Sequence, residues 1–246
     1  VSVAREELLI SVLADMLAGD RHVAVGAASP IPGAAALLAK AEMAERNQGR
    51  MQVSIIHSRR DNPFTAGSRE LFDLAGRRAI DSFFLGGVQI DGRADINLVG
   101  IGAYPTMTKR FPGSFGSALM YYVVPKVILL RAEHSTRTLV EKVDFVSAPG
   151  TSPPNVHRPG GPRALVTGRA VFDFDRGAGR FRLTSVHADE SVDSIRAATG
   201  FEFDVGDVVA SPLPSAERLT RIRRNIAPQV LEFYPEFARD VWGLRA

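Results

Sequence analysis

Cysteine is absent from the 246 residues, so the chain has neither a disulfide framework nor a thiolate metal site, a usage that fits a reducing cytoplasm. No apolar stretch approaches the ~20 residues a membrane-spanning helix needs, and no membrane segment is expected. The opening VSVAREELLISVLADML carries Glu6, Glu7 and Asp15, unlike a secretory signal. No grouping of His, Asp and Glu has metal-ligand spacing, and no metal is expected. The P-loop pattern and the GxGxxG dinucleotide fingerprint are both missing, as are fixed-period repeats and low-complexity tracts. Excess charge is also lacking: 30 basic residues face 27 acidic ones, for a net +3. Without a basic stripe interleaved with aromatics, that mild excess favours acidic small molecules, phosphate-bearing ones included, over nucleic acid.

What is present is globular: 45% hydrophobic and 23% charged residues, enough chain to bury a full core. The expectation is one domain over residues 1–246, with a C-terminal helical segment at about 215–246. Apolar residues at Leu8, Leu9, Val12, Leu13, Met16 and Leu17 recur at helical spacing, and Gly19 follows as a stop signal. HVAVGAASPIPGAAALLAKAEM then reads as strand, turn and helix. A strand over Gln52–Ile56, a short helix over Ser68–Gly76, and strands in SFFL, INLVGIG and KVILLRAE follow. KVILLRAE lacks alternation, which suits a strand buried on both faces. Residues Ala148 to Pro162 are rich in Gly and Pro and read as a surface loop. RALVTGRAVFDFDRGAGRFRLTSVH gives two or three strands with a hairpin turn at RGAG. ESVDSIRAATG is a helix closed by Gly200, and Ala216 to Ile226 an arginine-rich one. The alternation predicts an α/β fold with an open, largely parallel sheet flanked by helices.

In such a sheet, chemistry sits at the carboxyl ends of the strands. There MQVSIIHSRRDNP leaves its strand on His57 and Ser58. An imidazole titrates between pH 5 and 8 and suits a general base, and a neighbouring serine can donate a hydrogen bond. The plainer alternative is a histidine filling space at a strand end. Gly86-Gly87, directly after SFFL, lets backbone amides approach a ligand closely or serves a tight turn. In RFPGSFGSALMYY, Gly113 and Gly116 surround Phe115 before a small-residue run; amides at such a helix start can form an oxyanion or phosphate site.

Taken in order, VAVGAASPIPGAAALLAK, FFLGGVQIDGRADINLVGIG, KRFPGSFGSA, EKVDFVSAPG and AATGFEFDV resemble the beta chain of family I CoA-transferases, especially the glutaconate CoA-transferase branch, from about Leu8 to about Pro228. The resemblance implies an alpha chain of similar fold as partner, in a heterodimer or heterotetramer, and an acyl-CoA site shared with it. Coenzyme A enters as part of the substrate, with no permanently bound cofactor. It implies substrate and CoA contacts at Gly26, Ser29, Gly86, Gly87, Gln89, Gly113, Phe115, Gly116 and Ser117. In the family a beta-chain glutamate attacks the thioester and carries CoA. Aligned without large gaps, that glutamate falls on His57 or Ile56, and neither is a carboxylate. The family's Gly-x-Gly-Gly-Ala loop is here Gly113-Ser114-Phe115-Gly116-Ser117, with a ring where the backbone is bare. The implied reaction is therefore hydrolysis or carbon-carbon cleavage of an acyl-CoA, as in the ring-opening hydrolases of steroid degradation, with His57 and Ser58 as the catalytic candidates. The alternatives are a true transferase with a relocated glutamate and a non-catalytic chain that binds acyl-CoA or stabilises its partner.

Other charged residues are read as supporting structure. Glu42 and Glu45 suit an exposed helix end with salt bridges. Glu133 and His134 leave a strand end and either rim the pocket or form a plain exit. Arg59 and Arg60 suit phosphates, a carboxylate or solvent. Arg218, Arg221, Arg223 and Arg224 spread over more than one helix face and are assigned to solvent or subunit contacts.

Overall fold

The first helix, α1 (Arg5–Met16), is buried without interruption from Glu7 to Ala14, and its Leu9, Ile10 and Leu13 are wholly inaccessible. The computed structural model describes residues 2–65 and 67–245. They fall into two compact units, one within residues 1–74, 79–84 and 212–246, the other of residues 75–78 and 85–211.

The first unit continues with β1 (His22–Val25), α2 (Pro30–Glu45), β2 (Gln52–Ile55), and all but the last residues of α3 (Ser68–Gly76) and β3 (Ser82–Leu85). Strand β1 is central and parallel to both neighbours, with Val25 opposite Ile55 of β2 and Ala24 opposite Phe83 of β3. Every β1 residue is buried, as a parallel strand covered on both faces requires. Pro30 occupies the first turn of α2, where its missing N–H costs nothing. Gly33 stands in α2 because a Cβ there would lie 3.0 Å from the Phe233 ring.

The second unit opens with two small hairpins, β4 (Gln89–Ile90) with β5 (Ile96–Asn97) and β6 (Gly100–Ile101) with β7 (Lys109–Arg110). Helix α4 (Ser117–Val123) leads into β8 (Lys126–Arg131), followed by β9 (Pro162–Thr167), β10 (Ala170–Asp175), β11 (Arg180–Val186), α5 (Val192–Ala198) and β12 (Asp204–Ala210). The order within the sheet is β12-β11-β10-β9-β8. The outer pairs β8–β9 and β11–β12 are parallel, and the inner meander is antiparallel. The RGAG turn forms as expected: Asp175 Oδ1 accepts the N–H of Gly177 and of Ala178, each at 2.9 Å, and Gly179 takes φ +67°. Strands parallel where helices connect them give the α/β class that the sequence predicts.

The INLVGIG reading is corrected. It does not join strands β8 to β12 but breaks at Leu98-Val99 into β5 and β6. Asn97 Oδ1 accepts the N–H of Val99 at 3.0 Å and of Gly100 at 3.3 Å, a side-chain turn that competes with continued pairing.

The C-terminal helices return to the first unit as α6 (Ala216–Arg221), a π-helical turn (Ile222–Ile226), α7 (Ala227–Phe233) and α8 (Pro235–Trp242). Here the exposed reading of Glu42 is overturned. It is buried, and its carboxylate receives Arg218 Nε at 2.8 Å and Nη2 at 2.7 Å. Arg218 also reaches Asp15 and Ser11, and Arg223 grips the buried Glu7 at 2.6 Å. These two arginines staple the C-terminal helices to α1 and α2 rather than face solvent. Among the described residues no helix is long and apolar enough to cross a membrane.

Candidate functional site

In the first unit, parallel pairing brings the exits of β1 and β2 side by side: Ile56 N–H donates to the Val25 carbonyl at 3.2 Å. The chain then turns at once, because Ser58 N–H donates to the Ile55 carbonyl at 3.0 Å and Asn62 Nδ2 to the Ile56 carbonyl at 2.8 Å. Ser58 is the centre of this turn. Its buried Oγ accepts the N–H of Asp61 at 2.9 Å and of Arg60 at 3.2 Å, and donates its single hydrogen to Glu232 Oε2 at 3.0 Å. With hydrogen and lone pairs committed, the hydroxyl holds the turn and has no proton left to give His57.

His57 is exposed at the crest of that turn. Its ring lies 5.8 Å from that of Tyr234, tilted by 50°. Tyr234 Oη accepts the backbone N–H of Ser29 at 2.8 Å, and burial holds its phenol above the usual range, so it keeps its hydrogen at neutral pH. Ser29 caps the start of α2, with its own hydroxyl on the Ala27 carbonyl at 3.0 Å. Gly26 needs no unusual backbone, and a Cβ there would only touch Phe83 at 3.4 Å. Helix α7 closes this corner through Glu232, which also takes the Arg59 N–H at 2.8 Å, and through Gln229, which accepts from Arg60. Arg59 and Arg60 are thus held by backbone and side chain to this helix.

The sequence reading brings together His57, Ser58, Gly26 and Ser29 here, and it misses Tyr234 and Glu232. The two lie more than 170 positions along the chain from the turn they contact. The usable signal was the aromatic pair Phe233-Tyr234 before Pro235, at the end of a helix.

In the second unit, the two glycines after β3 are explained by their own surroundings. A Cβ on Gly87 would meet the Gln89 carbonyl at 2.5 Å, and one on Gly86 the Leu130 carbonyl at 3.0 Å. Gln89 is buried, and its Oε1 accepts from Asn97 Nδ2 at 2.7 Å and from Asp144 N–H at 3.0 Å. Its side chain therefore braces the hairpins. Gly113 (φ +109°) and Gly116 (φ +70°) take backbone that only glycine adopts freely. Ser117 turns its hydroxyl onto the Ser114 carbonyl at 2.7 Å. Phe115 is 83% exposed, outside any core.

The rim reading of His134 is corrected: it is buried, between Thr167 Oγ1 at 2.8 Å and Thr199 Oγ1 at 3.0 Å. Burial, aided by Arg169, lowers its pKa to about 4, which marks a neutral structural imidazole. Glu133 is clamped by Arg137 at 2.7 Å and Arg131 at 3.1 Å. A cavity of about 780 Å³ in this unit is lined by Asp91, Arg93, Glu141, Lys142, Arg196 and Phe201 among others. No group of three metal-ligating side chains converges among the described residues.

Known proteins resemble this chain in sequence and in fold. The family profile described as Coenzyme A transferase matches residues 11–198. The B subunit of glutaconate CoA-transferase from Acidaminococcus fermentans is 30% identical over 152 residues, 59% of this chain and 56% of that protein. The chain spans about half the length of the curated relatives it matches. Among solved structures, glutaconate coenzyme A-transferase from the same organism superposes with a TM-score of 0.80 at 22% identity, covering 94% of this chain and 97% of that one. A variant of the decarboxylase AibA/AibB gives 0.74 at 25% identity, covering 90% and 95%.

Proposed function

Because the chain belongs to the coenzyme A transferase family, we propose that it is the beta-type subunit of a two-chain enzyme that acts on an acyl-CoA thioester. The glutaconate CoA-transferase relative is itself one subunit of its enzyme, which supports this placement, and so does likeness to a structure named for two chains, AibA/AibB. Coenzyme A enters as part of the substrate.

The reaction we propose is hydrolysis or carbon-carbon cleavage rather than CoA transfer. The observation that carries this is His57, an exposed imidazole at the β2 exit, where the resemblance places the family's glutamate on His57 or Ile56. Ping-pong transfer needs a carboxylate that becomes an acyl anhydride and then a thioester, and an imidazole has no carboxyl to activate. An imidazole does accept a proton from water or from a carbon acid, work worth about 100-fold or more in rate. Likeness to a decarboxylase supports carbon-carbon chemistry on this fold.

A second reading keeps transfer and relocates the nucleophile, and Glu232 is what favours it. Its carboxylate stands at the same strand exit, exposed, although Ser58 and the Arg59 N–H each occupy one of its oxygens. Hydroxylamine separates the two. Incubated with acyl-CoA and hydroxylamine, a transferase loses activity as its glutamyl thioester is trapped. The assembled hydrolase or lyase keeps its activity. Glu232→Gln abolishes turnover only under the second reading.

A further inference from the structure

The hydroxyl of Tyr234 is a hydrogen-bond donor that the folded chain leaves without an acceptor. It accepts the Ser29 N–H at 2.8 Å, and among the described residues nothing receives its own hydrogen. Burial raises its pKa and the Ser29 amide offsets part of the rise, so that hydrogen is in place throughout the neutral range. The side chain is half-buried and stands outside residues 11–198, the span of the family profile.

Its position is set within the first unit from three directions. Tyr234 joins α7 to α8, its N–H on the Val230 carbonyl at 2.8 Å and its carbonyl accepting the Ala238 N–H at 3.0 Å. The preceding Phe233 is buried against α2, where Gly33 makes room for its ring, and it meets the Tyr234 ring edge-on with centres 5.1 Å apart. The Ser29 amide then pins the hydroxyl at the start of α2, which follows the exit of β1. His57 stands at the exit of β2, the parallel neighbour of β1, with its ring centre 5.8 Å from that of Tyr234. Paired strands lie about 4.8 Å apart, so a donor and a base flank the same small space. The other titratable group at this corner, Glu232, is engaged by Ser58 and the Arg59 N–H.

The resemblance implies a substrate contact at Ser29, yet its amide is committed to Tyr234 and its hydroxyl to the Ala27 carbonyl. The donor that faces outward is the tyrosine's. Accepting the amide polarises its O–H and strengthens it as a donor.

Resting on the hydrolytic reading above, we propose that Tyr234 is a catalytic residue that donates its hydrogen bond to the carbonyl oxygen under attack. His57 takes a proton from water as the water oxygen bonds to the carbonyl carbon of the thioester or of a neighbouring ketone. The π pair moves onto the carbonyl oxygen, and the Tyr234 O–H stabilises that charge without ionising. When the pair returns, the bond to sulfur or to the adjoining carbon breaks. The imidazolium then gives its proton to the departing thiolate or enolate, and the histidine ends as it began.

The test uses the proposed two-chain enzyme with glutaconyl-CoA and acetoacetyl-CoA as probes. Free CoA reports thioester hydrolysis, and acetyl-CoA from acetoacetyl-CoA reports carbon-carbon cleavage. Tyr234→Phe is expected to lower kcat by about 100-fold or more, the scale of one oxyanion donor, with KM changed far less. Because that variant also strands the Ser29 amide, a second one carries a ring-fluorinated tyrosine at the same position. It keeps the accepting oxygen and ionises at lower pH. A donating hydroxyl is lost on ionisation, so fluorination should move the alkaline limb of the kcat profile downward and leave the acidic limb set by His57 in place. An alkaline limb that does not move, or a Tyr234→Phe variant as active as wild type, overturns the role and leaves the acyl-CoA reading standing. A wild type that turns over neither probe, or a His57→Ala variant as active as wild type, overturns the hydrolytic reading and the Tyr234 role with it.

Discussion

Replacing Arg218 with alanine isolates the contact that fastens the C-terminal helices. The guanidinium donates two parallel bonds of 2.8 and 2.7 Å to Glu42, two more of 3.0 and 2.6 Å to Asp15, and one of 2.9 Å to Ser11. Glu42 is only 6% exposed, so the deletion strands a buried carboxylate, a change that costs about 3–5 kcal/mol when nothing else compensates. Arg46 and Arg221 remain at 3.6 and 3.7 Å and offset part of it. Asp15 is half-exposed and adds at most about 1 kcal/mol. The expected loss is therefore about 2–3 kcal/mol, a fall of roughly 5–10 °C in Tm for a chain of this size. Trp242, the only tryptophan, donates to Glu7 at 3.3 Å and reports this unit's unfolding by fluorescence. The pH dependence carries a sign. Hydrogen bonds from Arg218 hold the Glu42 carboxyl below its usual value against the opposing effect of burial. The contribution is therefore complete above the ordinary carboxylate range and disappears as pH falls through the lowered value. The gap between wild type and Arg218→Ala should close in acid. A variant within about 0.5 kcal/mol of wild type at neutral pH, the scale of an ordinary surface change, would refute the staple. So would a gap that persists undiminished in acid.

Other substitutions probe the corner around His57 and the second unit. Tyr234→Phe leaves the Ser29 N–H without its acceptor and is expected to lower stability by about 1–2 kcal/mol, read by urea unfolding. Phe115→Ala removes an exposed ring, so the same measurement should change by less than about 0.5 kcal/mol, while under the proposed acyl-CoA function the acyl-chain preference shifts. His134 is held neutral by burial with its pKa lowered to about 4, so stability should decline as pH falls from the ordinary imidazole range toward 4, where the unfolded chain alone takes up the proton. His134→Gln should flatten that slope in pH-dependent thermal melts.

Local pattern was enough for α1, α2, the β10–β11 hairpin and the exit of β2 at His57, because each follows from periodicity or turn chemistry within a few residues. Contacts between distant segments were not legible. Glu42 looks like the polar end of a helix until Arg218 arrives from 176 positions away. Tyr234 and Glu232 reach the His57 turn across a similar separation, and no short-range pattern marks such a pairing. INLVGIG misleads for another reason: seven residues of strand-like composition conceal a turn that Asn97 makes with its own side chain. His134 shows the reverse error, since leaving a strand end does not decide between a pocket and a buried pair of threonines. The glycines were located correctly as special positions. At Gly86 and Gly87, however, neighbouring carbonyls of the chain itself supply the close approach.

The most direct test of the central claim is the intact mass of this chain after the proposed two-chain enzyme has been offered acyl-CoA and quenched in acid. An enzyme in which His57 has taken the place of the transferring glutamate should leave the chain at its unmodified mass while free CoA or a cleaved acyl product accumulates. A species heavier by one CoA less one water, mapped to Glu232 or to any other carboxylate of this chain, would show a covalent glutamyl or aspartyl thioester and contradict the account.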